Sequence, residues 1–221
     1  ALAAAGARIA GIGTHALTVE GVPELAPIRH RVIPDRIEAG TFLTAAAITG
    51  GRVRLEACRP DHLAACVAAV KAMGCEVALG DDWLEVTAPD RPRPVEIVTR
   101  PYPGFPTAMQ AQFMAVSALA DGTSFVTDTI YPDRFTHVAE LRRLGAEVRL
   151  DGATAIVFGV PRLQGAPVMA TDLRASAALI LAGMAAEGTT TIDRVYHIDR
   201  GYEKIEAKLA RLDARIRRVA E

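Results

Sequence analysis

The chain lacks the features that mark membrane, nucleic-acid-binding and disulfide-bonded proteins. No apolar run reaches the roughly 20 residues that a helix needs to cross a bilayer. The net charge is −1, from 25 basic and 26 acidic side chains, so there is no excess positive charge to hold a phosphate backbone or an anionic membrane. We therefore expect neither nucleic acid nor membrane as a partner.

Cysteine is also scarce, with Cys58, Cys66 and Cys75 as the whole complement. They are odd in number, show no CxxC spacing and have no histidine cluster beside them. We interpret them as reduced, mostly buried thiols of a cytoplasmic protein. A metal site is the weaker alternative, and none is predicted.

The chain does contain an internal repeat. The segments AVKAMGCEVAL (69–79), ELRRLGAEVRL (140–150) and KLARLDARIRR (208–218) share one pattern, and LAAAGARI (2–9) matches its first part. A glycine turn precedes each full copy, at Gly51, Gly122 and Gly188. A long period with few gaps indicates a supersecondary unit that is used several times.

Each copy predicts two helices and several strands, which makes the fold class α/β (α+β). Helix N-caps are predicted at Asp61, Thr107, Asp133, Asp172 and Asp199. Left-handed residues that end a helix are predicted at Gly74 and Gly145, with Asp213 in the same place in the last copy.

Function is expected where the copies diverge from their shared scaffold. Three segments do so, at 101–113, 169–183 and 196–206, and each leads into a predicted helix N-terminus. Free N–H groups there favour phosphate or carboxylate ligands, and Arg174 and Arg200 add fork-shaped donors. The alternative for each arginine is an exposed surface ion pair.

Four motifs then reveal a resemblance that runs over essentially the whole chain. They are PDRIEAGTFLxAAAITGG (34–51), FPTxMQAQF (105–113), MATDLRASAxLxLAG (169–183) and YHIDRGYExIExKL (196–209). These motifs closely resemble the UDP-N-acetylglucosamine enolpyruvyl transferase family. The sibling phosphoshikimate enolpyruvyl transferases share the repeat but are not similar in these motifs.

The resemblance implies a protein of two lobes, each built from three βαβαββ units packed as an inside-out α/β barrel, with substrates bound in the cleft between them. Residues 1–30 would be the tail of a truncated first lobe, and residues 31–221 the C-terminal lobe. Its three repeats are expected at about 31–94, 95–164 and 165–221.

The resemblance also implies a reaction and its residues. The family transfers the enolpyruvyl group of phosphoenolpyruvate to the 3-hydroxyl of UDP-N-acetylglucosamine and releases phosphate, which opens peptidoglycan synthesis; it needs no cofactor. Arg200 matches an arginine that contacts phosphoenolpyruvate, and Asp172 and Arg174 match cleft residues near the reacting groups. Ile130 matches a position that contacts the UDP-sugar, with Arg134 nearby.

Ala108 departs from the family, which has an aspartate there as a candidate general base. A methyl group accepts no proton, and general-base assistance is worth roughly 10²–10⁴-fold in rate. With Ala108 and without the missing N-terminal lobe, we expect this chain to be inactive alone. The alternative is a non-catalytic nucleotide-sugar-binding or interaction module.

Overall fold

The computed structural model describes residues 1–219, which divide into two compact units, Ala1–Ile33 and the chain from Pro34 onward. The smaller unit consists of three short elements: a 3₁₀-helix at Leu2–Ala5 and the antiparallel strands β1 (Arg8–Ala10) and β2 (Thr18–Glu20). The assignment of residues 1–30 to the tail of a first lobe stays a prediction, as do the bounds of the three repeats.

Residues 34–219 form six α-helices: α1 (Arg36–Thr49), α2 (Ala64–Ala72), α3 (Gln110–Ser117), α4 (His137–Arg143), α5 (Leu173–Ala185) and α6 (Ile205–Ala210). Short 3₁₀-helices at Pro60–Leu63 and Thr107–Met109 lead directly into α2 and α3, and another spans Val195–Arg200 ahead of α6. Among the described residues, no helix is long and apolar enough to cross a membrane.

The strands of the first two repeats form two sheets. They are β3 (Arg52–Glu56), β4 (Glu76–Leu79), β5 (Trp83–Thr87), β6 (Glu96–Val98), β7 (Thr123–Thr127), β8 (Glu147–Asp151) and β9 (Thr154–Phe158). The first sheet is antiparallel and has the order β3-β5-β4. The second has the order β6-β7-β9-β8, with only the β6–β7 pair parallel. In both sheets the strand that comes last in the chain lies between two earlier ones.

The third repeat has shorter strands, β10 (Leu163–Gln164), β11 (Pro167–Met169), β12 (Ala186–Glu187) and β13 (Thr191–Asp193). They form two separate parallel pairs, β10 with β12 and β11 with β13.

The core is a set of three mutually packed helices, α1, α3 and α5. Every residue of α3 is buried, and so are ten residues of α1 and eight of α5. Helices that are apolar around most of their circumference belong in a protein interior, with the sheets outside them. This mixed α/β arrangement, with helices inside and sheets outside, is the one expected from the sequence.

The turn after the second helix of each repeat is left-handed in all three copies. Gly74 and Gly145 have φ values of 98° and 90°, and Asp213 has 65°. Glycine adopts this conformation without a steric cost, and aspartate tolerates it better than most residues. The prediction for Asp213 is therefore confirmed.

Of the five predicted helix N-caps, only Asp172 is confirmed. Asp172 does cap α5, because its Oδ1 accepts the N–H groups of Arg174 and Ala175 at 2.8 and 3.0 Å. Asp35, which the sequence reasoning missed, caps α1 in the same way by accepting the N–H of Ile37 at 2.7 Å. Both are residues whose short carboxylate competes well for the free donors of a first turn.

The other four predicted caps were wrong: Asp61, Thr107, Asp133 and Asp199 cap no helix. The α-helices begin later than predicted, in three cases after a 3₁₀ segment whose first turn already departs from α geometry. The side chains of Asp61 and Asp199 instead pair with Arg59 and Arg218.

Candidate functional site

A buried carboxylate, Asp128, joins three segments of the candidate site. It accepts hydrogen bonds from the hydroxyls of Thr99 (2.7 Å) and Thr107 (2.6 Å) and from the N–H groups of Ile130 (3.0 Å) and Tyr131 (2.9 Å). Asp128 therefore fixes the end of β6, the start of the segment that carries Ala108, and the loop that carries Ile130.

The hydrogen bonds decide the charge of Asp128. Burial alone would raise the pKa of this carboxyl group. The bonds from Thr107, Tyr131, Thr99 and Ile130 favour the ionised form and outweigh burial, so the pKa of Asp128 lies below its ordinary value. The site thus contains a permanent negative charge at neutral pH.

Arg134 lies between this carboxylate network and α5. Its Nη1 is 3.5 Å from Thr107 Oγ1, and its Nη2 is 4.0 Å from Asp172 Oδ1. Both contacts are long, and Arg134 and Asp172 are only partly covered, so this ion pair is weak. The two contacts nevertheless show that the second-repeat segment at Thr107 lies next to the start of α5.

His137 is buried near this pair but carries no charge at neutral pH. Burial lowers the pKa of His137 to about 4, and the charges of Asp172 and Arg134 act on it in opposite directions. Its Nε2 contacts Met114 Sδ at 3.3 Å, so the ring packs as part of the core.

Ala108 presents only a methyl group to the site. It lies in the 3₁₀-helix Thr107–Met109 and packs, half-buried, against the core. Ile130, held by its N–H to Asp128, leaves its side chain exposed. Neither residue can transfer a proton, so Ala108 and Ile130 can only shape the site.

The side chain of Arg174 extends from the first turn of α5 and lies over an aromatic ring. Its Cζ is 5.3 Å from the centroid of Tyr202, a distance that permits a cation–π interaction. Tyr202 is 1% exposed, and its hydroxyl shares a 2.8 Å hydrogen bond with Thr41 of α1. Nη1 of Arg174 is buried and has no hydrogen-bond partner among the described residues, so this cationic donor lacks an acceptor.

Arg200 lies close to the same helix end. It is the exposed last residue of the 3₁₀-helix Val195–Arg200, which packs against α5. The next residue, Gly201, lies so close to Leu173 that an added Cβ would be 2.9 Å from Leu173 Cδ2. Arg200 is thereby held beside the first turn of α5.

The structure changes the sequence hypothesis about how an anion would be held. The two N–H groups at the start of α5 are already used by Asp172, and Arg200 ends a 3₁₀-helix instead of starting an α-helix. The donors available to an anion here are therefore guanidinium groups and not the N–H groups of the first turn of α5. Within residues 1–219 neither Arg174 nor Arg200 forms an ion pair, which disfavours the surface-pair alternative for both.

Contacts thus link the segments that carry all six predicted site residues: Ala108, Ile130, Arg134, Asp172, Arg174 and Arg200. Asp128 is the member that sequence reasoning missed, although a strand followed directly by aspartate is a recognisable turn signal. No three His, Cys, Asp or Glu side chains in the described part of the chain lie together as metal ligands would.

Comparison with known proteins identifies a family. A family model described as EPSP synthase (3-phosphoshikimate 1-carboxyvinyltransferase) matches residues 1–209. A UDP-N-acetylglucosamine 1-carboxyvinyltransferase of Anaeromyxobacter sp. (strain Fw109-5) is 58% identical over 99% of this chain and 52% of that protein. The protein of the same name from Geobacter metallireducens is 56% identical over 98% of this chain and 52% of its own length.

Comparison with solved structures also finds enolpyruvyl transferases. The enolpyruvyl transferase NikO from Streptomyces tendae is 29% identical, with a TM-score of 0.83 over 96% of this chain and 51% of that one. An EPSP synthase from Acinetobacter baumannii is 19% identical, with a TM-score of 0.72 over 100% of this chain and 54% of that one, which shows the shared fold. The chain spans about half the length of the curated relatives it matches.

Proposed function

The chain belongs to the EPSP synthase family of enolpyruvyl transferases, and from that premise we propose that it is one lobe of a UDP-N-acetylglucosamine enolpyruvyl transferase. The complete enzyme would move the enolpyruvyl group of phosphoenolpyruvate to the 3-hydroxyl of the sugar and release phosphate, as the first committed step of peptidoglycan synthesis. The free thiols favour a cytoplasmic site for this reaction.

One observation carries the proposal: Nη1 of Arg174 is buried without a partner among the described residues, in a region where the segments that carry Arg134 and Arg200 also meet α5. A desolvated guanidinium without a partner is costly unless a ligand supplies the missing acceptor. Phosphoenolpyruvate offers both a carboxylate and a phosphate, each of which matches a guanidinium fork. The 58% identity to the Anaeromyxobacter protein supports the UDP-sugar as the second substrate.

The proposed roles follow the positions of the side chains. Arg200 and Arg174 would bind phosphoenolpyruvate and stabilise the phosphate as it leaves. The loop that Asp128 holds would place Ile130 against the UDP-sugar. Asp172 would lie near the reacting groups, with Arg134 Nη2 4.0 Å from its Oδ1.

Because of Ala108, we expect this lobe to be a poor catalyst even when the cleft is complete. The forming bond joins the 3-oxygen to the enolpyruvyl carbon, the bond from that carbon to the phosphate oxygen breaks, and the hydroxyl proton must leave. A carboxylate at position 108 could take that proton, whereas the methyl group of Ala108 cannot.

The test uses a full-length chimera, in which this chain replaces its counterpart in the Anaeromyxobacter protein. With both substrates present, Ala108→Asp should raise the rate of phosphate release by about 10²–10⁴-fold. Ala139→Asp, at an exposed position of α4, adds the same charge away from the site and should change nothing. A chimera that releases no phosphate with Ala108→Asp, although it is folded, would contradict the proposal.

Ala108 also favours one alternative, a lobe that binds nucleotide-sugar without reacting. In that case the isolated chain should bind UDP-N-acetylglucosamine by calorimetry, and Ala108→Asp should add no activity to the chimera. The proposed enzyme predicts the reverse, because one side of a cleft makes only part of the contacts while ordering the ligand costs the same.

A further inference from the structure

The buried side chain of Tyr202 joins α1 to the two segments that carry Arg174 and Arg200. Its hydroxyl lies 2.8 Å from Thr41 Oγ1 of α1, and its ring lies under the guanidinium group of Arg174. A buried tyrosine often does no more than fill space and satisfy its hydroxyl. The contacts of Tyr202 on each side decide whether it does more than that.

The hydroxyl of Tyr202 is held by groups that are themselves fixed. Thr41 Oγ1 donates to the carbonyl oxygen of Ile37 at 2.9 Å, one turn earlier in α1. Gln112 Nε2 of α3 lies 3.3 Å from Thr41 Oγ1 and 3.5 Å from the hydroxyl of Tyr202. The side chains of Tyr202, Thr41 and Gln112 are buried, and hydrogen bonds are stronger in such surroundings than in water. The ring of Tyr202 is therefore held in one orientation against the helical core.

The backbone at Tyr202 holds Arg200. The N–H groups of Gly201 and Tyr202 both donate to the carbonyl oxygen of Ile198, at 3.1 and 3.0 Å. Ile198 is itself 1% exposed, so this turn is tied to the core at both ends. Arg200 lies inside the turn, two residues before the buried ring.

The ring of Tyr202 holds Arg174. The Cζ of Arg174 is 5.3 Å from the ring centroid, and its Nη1 is buried. A guanidinium group packs well on an aromatic face, and there it keeps its planar N–H donors available at the edges. The orientation of the ring therefore sets the orientation of the donors of Arg174.

We propose that Tyr202 is a positioning residue, which is held by Thr41 and sets the places of the guanidinium groups of Arg174 and Arg200 for phosphoenolpyruvate. The inference rests on the proposed function, in which these two arginines bind that substrate. Arginine side chains are flexible, and ordering them during binding costs free energy. A ring that orders Arg174 beforehand removes part of that cost, so the affinity for phosphoenolpyruvate depends on Tyr202 although Tyr202 does not contact the ligand.

Calorimetry on the full-length chimera tests this dependence, with UDP-N-acetylglucosamine present and with Ala108 retained so that turnover is slow. Tyr202→Phe and Thr41→Val should each weaken phosphoenolpyruvate binding by about 5-fold, the usual size of one hydrogen bond. The double variant should be little weaker than either single variant, because both remove the same bond. Unchanged affinity in both single variants would overturn the proposal.

Two controls separate positioning from a general loosening of the core. Thr44 is an equally buried threonine of α1, but its hydroxyl bonds to the carbonyl oxygens of Gly40 and Thr41. Thr44→Val should therefore leave phosphoenolpyruvate affinity unchanged, and equal losses from Thr41→Val and Thr44→Val would overturn the positioning role. The affinity for UDP-N-acetylglucosamine should stay constant in all variants, because Asp128 holds the loop of Ile130 separately.

Nitrogen-15 relaxation of the Nε–Hε group of Arg174 tests the positioning without any substrate. In the same chimera, the order parameter of this group should fall in Tyr202→Phe and Thr41→Val and stay at the wild-type value in Thr44→Val. An order parameter that is the same in all four proteins would overturn the role of Tyr202. Absence of phosphate release from the Ala108→Asp chimera would count against the proposed function instead, so the two failures are distinguishable.

Discussion

The second and third repeats share a sequence pattern, but only the second forms a four-stranded sheet among the described residues. In the second, β9 is inserted between β7 and β8, and Leu144 beneath that sheet is fully buried. In the third, the equivalent leucine, Leu212, is 46% exposed, and β13 pairs only with β11 among the described strands. The third repeat thus has the helices and turns of the second, but its strands form no equivalent sheet within residues 1–219.

The largest expected effect comes from the two aligned leucines. Leu144→Ala should destabilise the isolated chain by about 3 kcal/mol, because it leaves a cavity in a close-packed core. Leu212→Ala should cost less than about 1 kcal/mol, because its side chain is already half in water. Urea unfolding followed by circular dichroism measures both.

A second comparison uses the residue that follows the aligned strands, Asp128 in the second repeat and Arg194 in the third. Asp128→Asn should cost about 2 kcal/mol, because an amide cannot accept all four hydrogen bonds and leaves buried donors unpaired. Arg194→Gln, at an exposed position, should stay within about 0.5 kcal/mol. Similar costs, measured by thermal unfolding, would refute the idea that Asp128 organises the second repeat.

Lowering the pH should reduce the difference in unfolding free energy between the wild type and Asp128→Asn. The pKa of Asp128 is lowered in the folded protein, so its ionised form stabilises the fold fully above the ordinary carboxyl value of about 4. That contribution is lost as the pH falls through the lowered pKa. Unfolding free energies measured between pH 6 and pH 2 should therefore converge, and a constant gap would exclude an ionised Asp128.

The smallest effect is expected at Arg218, which occupies in the third repeat the place of Leu79 and Leu150 in the others. Arg218 pairs with Asp199 at 2.6 Å, and the pair lowers the pKa of Asp199. Both side chains are more than 40% exposed, so Arg218→Ala should change stability by about 0.5 kcal/mol or less, and less still in 1 M salt. A loss well above 1 kcal/mol would show that this ion pair replaces the missing sheet contacts.

Sequence reasoning succeeded where the cause is local. The left-handed turn at Asp213 and the cap at Asp172 depend on residues within a few positions, and both were predicted. The same reasoning placed Thr107 as a cap, but its hydroxyl bonds to Asp128, 21 residues away. Asp128 was missed for the related reason that Thr99, one of its donors, lies 29 residues earlier.

The candidate site shows the same difference between local patterns and contacts over long sequence distances. The motifs indicated Arg174 and Arg200, yet the contact of Arg174 with Tyr202 and the hydrogen bond between Tyr202 and Thr41 join three separate motifs. Periodicity and spacing describe one segment at a time, so such contacts between segments need the folded chain.

The three buried thiols can report the opening of the first repeat. Cys58, Cys66 and Cys75 all belong to the first repeat and are buried. Burial raises the pKa of Cys66 to about 12 and that of Cys75 to about 11, so at neutral pH almost no thiolate is available for reaction. A thiol-reactive dye will therefore label this protein only when its first repeat opens, and the labelling rate will time that opening without any engineered residue.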